Sequence, residues 1–127
     1  METKSERKVC QPWDPAVLDR IDTIVWDCDG VLWLDYKLIP QVKGVVETLR
    51  QSGKRMIFAT NNSAKSRQQF ADIFAKLGLG WVREDDVVSS SSAAAAKVAS
   101  LLTRDRPVVA VIGREGVHIE LAKAGVK

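Results

Sequence analysis

Asp27 and Asp29 stand two residues apart, at the point where an apolar run meets a glycine, Gly30. In an extended backbone alternate side chains leave opposite sides, so both carboxylates can face one way while Cys28 faces the other. Two anions so close repel. The pair is tolerable if a cation sits between them, if one carboxyl keeps its proton, or if the two splay apart. Mg²⁺ takes hard oxygen ligands of this kind, and a protonated carboxyl can donate to a leaving oxygen. The plainer reading has one Asp capping the next turn and the other solvated, and placement at the end of a buried strand weighs against it. A second cluster, Thr60-Asn61-Asn62-Ser63, offers a hydroxyl, two amides and the start of a helix. These are donors that an oxyanion or phosphate needs, without added net charge. Such residues cap helices in many proteins. Beside an acidic strand end, however, they describe a phosphate held opposite a metal-bound carboxylate.

The elements that must position these groups are legible in the periodicity. Thr23-Ile24-Val25-Trp26 is β-branched and aromatic, a buried strand running into Asp27. Val42, Val45, Val46 and Leu49 repeat at helical spacing and stop at Gly53, and a strand follows over residues 55–60. Asn61 to Ser63 offer the cap of a helix whose apolar face is Phe70, Ile73, Phe74 and Leu77, ended by Gly78. Asp85-Asp86-Val87-Val88 reads as a loop entering a short strand, Ser89 to Ser92 as caps, and Ala94, Val98, Leu101 and Leu102 as a third apolar face. Val108 to Ile112 is expected to be a buried strand, and residues 113–124 a helix closed by Gly125. Residues 1–20 read as a polar lead-in with one helical turn, Asp14 as its cap and Pro15 at its first position. Residues 21–127 then form one α/β unit, a partial Rossmann-like parallel sheet with helices on both faces. Sites in such sheets lie at the carboxyl ends of the strands, which selects Asp27–Gly30 and Thr60–Ser63.

Composition narrows the classes further. The 127 residues are 46% apolar and 28% charged, as in an ordinary globular domain with one core. The net charge of +3 comes entirely from residues 87–127, where the basic side chains are spread singly rather than striped on one face. That excludes a nucleic-acid surface. No apolar run approaches the ~18 residues of a membrane span, and the first residues lack the apolar stretch of a secretion signal. A cytoplasmic location follows, with Cys10 and Cys28 as reduced thiols.

Asp27-Cys28-Asp29-Gly30-Val31-Leu32-Trp33 resembles the first motif of the haloacid dehalogenase superfamily of phosphatases, and residues 59–67, Ala-Thr-Asn-Asn-Ser-Ala-Lys-Ser-Arg, resemble its second. Ile39-Pro40, Gly53-Lys54 and Val111-Ile112-Gly113 with Gly116 are similar to the branch of 4-nitrophenylphosphatases, phosphoglycolate phosphatases and pyridoxal phosphatases. The resemblance covers residues 21–125. It implies Mg²⁺-dependent hydrolysis of a phosphomonoester, a small phosphorylated metabolite, through an aspartyl-phosphate. Asp27 would be the nucleophile. Asp29 would protonate the leaving alcohol and then activate water. Asp27 and the carbonyl of Asp29 would ligate Mg²⁺, and Thr60 and Asn61 would hold the phosphoryl group, with Asn62 helping to position it. The family's third motif, a Lys, and its fourth, an acidic metal ligand, follow a substrate-selecting cap, and these 127 residues carry no counterpart. The chain is thus expected to be a truncated form of weak or no activity, with the strand of residues 22–27 left as an unpaired apolar edge.

Other features read as structural. Glu84-Asp85-Asp86 is a solvated loop, Gly113 to Gly116 a turn without the glycine pattern of a dinucleotide site, His118 a packed or solvent-facing side chain, and Trp33 a packing residue beside the acidic turn. Two other functions compete. One is a non-catalytic module that binds Mg²⁺ or phosphate, or docks on another subunit, with a homo-oligomer among the outcomes. The other is a phospho-receiver domain, which needs an isolated phosphoacceptor Asp where this chain has Thr60-Asn61.

Overall fold

The computed structural model describes residues 15–102 and 108–127. A short helix α1 (Pro15–Asp19) leads into strand β1 (Thr23–Asp27), a two-strand hairpin β2 (Trp33–Leu34) and β3 (Lys37–Leu38), and helix α2 (Val42–Gln51). Strand β4 (Arg55–Thr60), helix α3 (Arg67–Lys76), a 3₁₀ turn (Glu84–Asp86), strand β5 (Val87–Ser89), helix α4 (Ser90–Leu101) and helix α5 (Glu115–Lys123) complete it. The α/β alternation read from the sequence is therefore what the chain forms. Pro15 opens α1 as expected, while the Asp14 cap and the rest of the lead-in lie outside the described residues.

The sheet is parallel, in the order β1-β4-β5. Ile24 pairs with Met56, Trp26 with Phe58 and Asp27 with Ala59, and Thr60 pairs with Ser89. Both crossovers step the same way across the sheet, so right-handed connections put α2 and α3 on one face. On that face Met56, Phe58 and Val87 are buried with Val46 of α2 and Phe70 and Phe74 of α3, and Cys28, Leu32 and Trp33 join the same core. Phe58 and Phe74 meet with centroids 4.5 Å apart, and Trp33 lies 5.0 Å from Phe74. Along β1, β4 and β5 alternate residues leave the opposite face, where Val25 is 63% and Val88 47% exposed. As the motif inventory implied, β1 pairs on one side only among the described residues.

Three local readings need correction. Helix α3 starts at Arg67, not at the Asn61–Ser63 turn: Ser66 is its cap, accepting from the Gln69 N–H while the Gln69 side chain accepts from the Ser66 N–H. This reciprocal box satisfies two backbone donors, and a Ser-x-x-Gln spacing outcompetes a lone Asn or Ser. Residues 108–112 form no strand, for Val108 and Ile112 are 74% and 105% exposed. Only Val109 and Val111 turn inward, onto a small cluster of Ala95, Leu121 and Val126, and among the described residues the run meets no strand, the Val109 N–H donating instead to the Lys127 carbonyl at 3.1 Å. Residues 33–38, without strand periodicity, form the hairpin of β2 and β3. Its two-residue loop puts Asp35 (φ 48°) and Tyr36 (φ 58°) in the left-handed region, as a tight hairpin requires, without the glycine that usually announces one.

Candidate active site

The carboxyl ends of β1 and β4 lie side by side because Asp27 and Ala59 are register partners. After Asp27 the chain turns at once. The Cys28 carbonyl accepts from the N–H groups of Val31, Leu32 and Trp33, and the Gly30 N–H donates to the Trp33 carbonyl at 2.8 Å. Gly30 sits at φ +83°, where a side chain would be strained. The turn brings the Trp33 indole N–H to Asp29 Oδ1 at 3.0 Å. From β4, Thr60 Oγ1 donates to Asp29 Oδ2 at 3.3 Å and accepts from the Asn62 N–H at 3.1 Å. Asp29 is thus fixed by donors on both oxygens.

Asp27 differs. Its exposed carboxylate accepts no hydrogen bond from any described residue, and it lines a cleft of about 300 Å³ with Thr60, Asn61, Ser89 and Ser90. Ser90 Oγ donates to the Asn61 carbonyl at 2.8 Å, so the start of α4 closes one wall. The cleft therefore holds an unengaged carboxylate, with Thr60 and Asn61 along the same wall. Asp29 joins it through Thr60. Asn62 does not line it: its Oδ1 accepts from the Ala64 N–H at 2.9 Å, and its Nδ2 donates to the Tyr36 hydroxyl at 3.4 Å. Nor does the N-terminus of α3 reach it, since α3 begins four residues beyond Ser63. A larger hollow of about 920 Å³ between β1 and α2 is lined by Ile24, Val25, Trp26, Val45 and Leu49 and offers no catalytic group.

Cys28, fully buried between the two acids, has its thiol pushed up to about 12. Burial is the main cause, and the charges of Asp29 and Asp27 add to it. It is a filler, not a nucleophile. Asp27 and Asp29 supply hard oxygens at one strand end, and Mg²⁺ characteristically takes one or two carboxylates and keeps several waters. The donor set fits that ion in part, and among the described residues no group of three His, Cys, Asp or Glu side chains could hold a metal.

Comparison with known proteins decides the family. The model of the haloacid dehalogenase-like hydrolases matches residues 24–127. The chain belongs to that family. It is 45% identical over 109 residues to the chloroplastic phosphoglycolate phosphatase 1A of Arabidopsis thaliana, covering 86% of this chain and 30% of that one. It is 38% identical over 114 residues to human chronophin, covering 87% and 38%. The structure of 4-nitrophenylphosphatase from Thermotoga maritima superposes with a TM-score of 0.76 at 29% identity, over 87% of this chain and 41% of the other. A glycerol phosphate phosphatase from Mycobacterium tuberculosis, solved with magnesium, gives 0.71 at 27% identity, over 86% and 32%. The chain spans about a third of the curated relatives it matches. No described helix is long and apolar enough to cross a membrane.

The site also leans on residues to which the sequence assigned no part in it. Ser90 walls the cleft, and Glu120 and Gly116 of α5 touch the loop that follows Thr60. The serine run 89–92 carried a sequence signal as helix caps and Gly116 one as a family-like turn glycine, while Glu120 carried none.

Proposed function

We propose that this chain carries the nucleophile and phosphate-holding part of a phosphomonoester hydrolase acting on small phosphorylated metabolites in the cytoplasm. The observation that supports it is the unengaged Asp27 carboxylate lining one cleft with Thr60 and Asn61. In the first step an Asp27 oxygen attacks phosphorus, and the bond to the ester oxygen breaks as Asp29 passes its proton to that oxygen, releasing the alcohol. The second step reverses the roles. Asp29 takes a proton from water, the resulting hydroxide attacks phosphorus of the aspartyl-phosphate, and Asp27 is freed with release of inorganic phosphate. Thr60 and Asn61 hold the phosphoryl oxygens, and Asn62 shapes the loop that carries them. Mg²⁺, held by Asp27 and the carbonyl of Asp29, would supply charge neutralisation at the phosphoryl oxygens.

The family's third and fourth motifs have no counterpart here, so activity of the isolated chain is expected to be weak or absent. The test pairs two measurements. Hydrolysis of 4-nitrophenyl phosphate with Mg²⁺ should be far below that of a complete relative and lost in Asp27→Asn. Titration with Mg²⁺ should shift the amide signals of residues 27–30 in the parent and not in Asp27→Asn. Turnover that survives Asp27→Asn, or Mg²⁺ shifts that ignore it, would overturn the assignment. A second reading, a binding module that docks on another subunit or on a second copy, is favoured by the one-sided pairing of β1. It predicts a stable, well-folded chain that binds phosphate without hydrolysing esters.

A further inference from the structure

The loop from Thr60 to Arg67 is gripped by a helix some fifty residues downstream. The Gly116 N–H donates to the Ala64 carbonyl at 3.1 Å. A Cβ at Gly116 would fall 2.3 Å from the Lys65 carbonyl carbon and 2.6 Å from its nitrogen, and backbone of that kind cannot move aside cheaply. This glycine is therefore demanded by close approach. One helical turn later lies Glu120, 2% exposed although it is a carboxylate. Its Oε1 accepts from the Arg67 N–H at 2.7 Å and its Oε2 from Arg67 Nε at 3.1 Å. Glu115, at the start of the same helix, accepts from Gln69 Nε2 at 3.3 Å. Ser91 Oγ donates to the Lys65 carbonyl at 3.1 Å from the other side.

A buried ion pair is weak evidence for stability, because apolar side chains of similar volume often serve as well. Its strength is direction. Glu120 engages both the first backbone N–H of α3 and the side chain of the same residue, so it fixes Arg67 in position and rotation. Contacts then run back through the loop: Ala64 to the Asn62 side chain, the Asn62 N–H to Thr60 Oγ1, and Thr60 to Asp29. We propose that Gly116 and Glu120 are positioning residues, which set where the Thr60–Asn62 loop stands over the nucleophile although neither touches the cleft. The proposal rests on reading that loop as a phosphate site.

The test uses the 127-residue chain and inorganic phosphate, followed by amide NMR. Gly116→Ala and Glu120→Gln should each weaken phosphate binding roughly tenfold, the scale on which small misplacements act. They should also shift the Asn62 and Ala64 amide signals before any phosphate is added. Val46→Ala, a cavity variant in the main core, should cost at least as much stability and leave both readouts unchanged. Should Gly116→Ala fail to fold, Glu120→Gln carries the comparison alone. Unchanged affinity and unchanged Asn62 and Ala64 signals in a destabilised Glu120→Gln would overturn the proposal, leaving that residue a mere support. If the parent chain binds no phosphate, the phosphate reading falls, while the amide shifts still decide whether α5 sets the loop.

Discussion

Two tryptophans allow the hydrogen bond that steadies Asp29 to be weighed. Trp33 is fully buried and donates to Asp29 Oδ1 at 3.0 Å. Trp81 packs 6.0 Å from Phe58 with Arg50 stacked 4.5 Å above its ring, and its indole N–H is buried with no acceptor among the described residues. Changing either to Phe trims the ring, at about 1–1.5 kcal/mol, a fraction of the ~3–5 for complete removal. Trp33→Phe also loses a donor to a carboxylate. Such a bond contributes about 1.5–3 kcal/mol when enclosed, and about 1–1.5 here because water reaches the exposed Asp29. Its total is about 2–3 kcal/mol. Trp81→Phe also forfeits about 0.5 kcal/mol of cation–π attraction, but it removes an orphan donor whose burial costs about 1–3 kcal/mol, so the net is near zero. Urea unfolding of both variants beside the parent measures the difference. It should be about 2–3 kcal/mol, with equal m values. If the two substitutions agree within about 0.5 kcal/mol, a scale smaller than a typical hydrogen bond, the indole bond to Asp29 contributes nothing and the reasoning fails.

Further expectations concern the thiol, the cap and the open face. In the folded chain Cys28 keeps its proton to about 12, against 9.0 for a free thiol, so between those values the unfolded state binds fewer protons. Stability of the metal-free chain should therefore fall as pH rises through that window, by at most about 1.4 kcal/mol per unit, and Cys28→Ala should lose that slope in urea titrations at pH 8 and pH 10. Ser66→Ala should cost about 1 kcal/mol by removing the α3 cap, with Ser63→Ala near neutral in the same assay. Val25→Lys, on the bare sheet face, should raise the monomeric fraction seen by light scattering if that face drives association.

Periodicity revealed β1, α2, β4 and the course of α4 because each answers to its own residues. The apolar face of α2 and the glycine that ends it are local facts, and the hydrophobic requirement of a strand is written along it. What stayed hidden depends on partners. Val108 to Ile112 has the composition of a buried strand, but pairing needs a neighbour, and composition cannot supply one. Ser66 and Gln69 form a capping box visible in the sequence, yet the Asn61–Ser63 cluster stood closer to the strand and drew the helix start to itself. Strand register sets Asp27 and Thr60 along one cleft, and Asp29 meets it only through its bond to Thr60, while Asn62 turned into loop structure. Glu120 could not be read as a buried residue, because its burial is meaningful only once Arg67, fifty-three positions earlier, lies against it.

Each strand of this sheet pairs with the next one to be synthesised, β1 with β4 and β4 with β5. Ile24 and its register partner Met56 are about thirty residues apart. At translation rates of about 5–20 residues per second, β1 leaves the ribosome some seconds before β4 can join it. Through that interval the strand bearing both acids is a bare apolar segment, a natural substrate for chaperones that hold nascent chains. Once β4 arrives, the acidic end meets its hydroxyl partner, but the Ser90 wall and the grip of α5 on the loop can follow only after many more residues, so the cleft is among the last features to be completed.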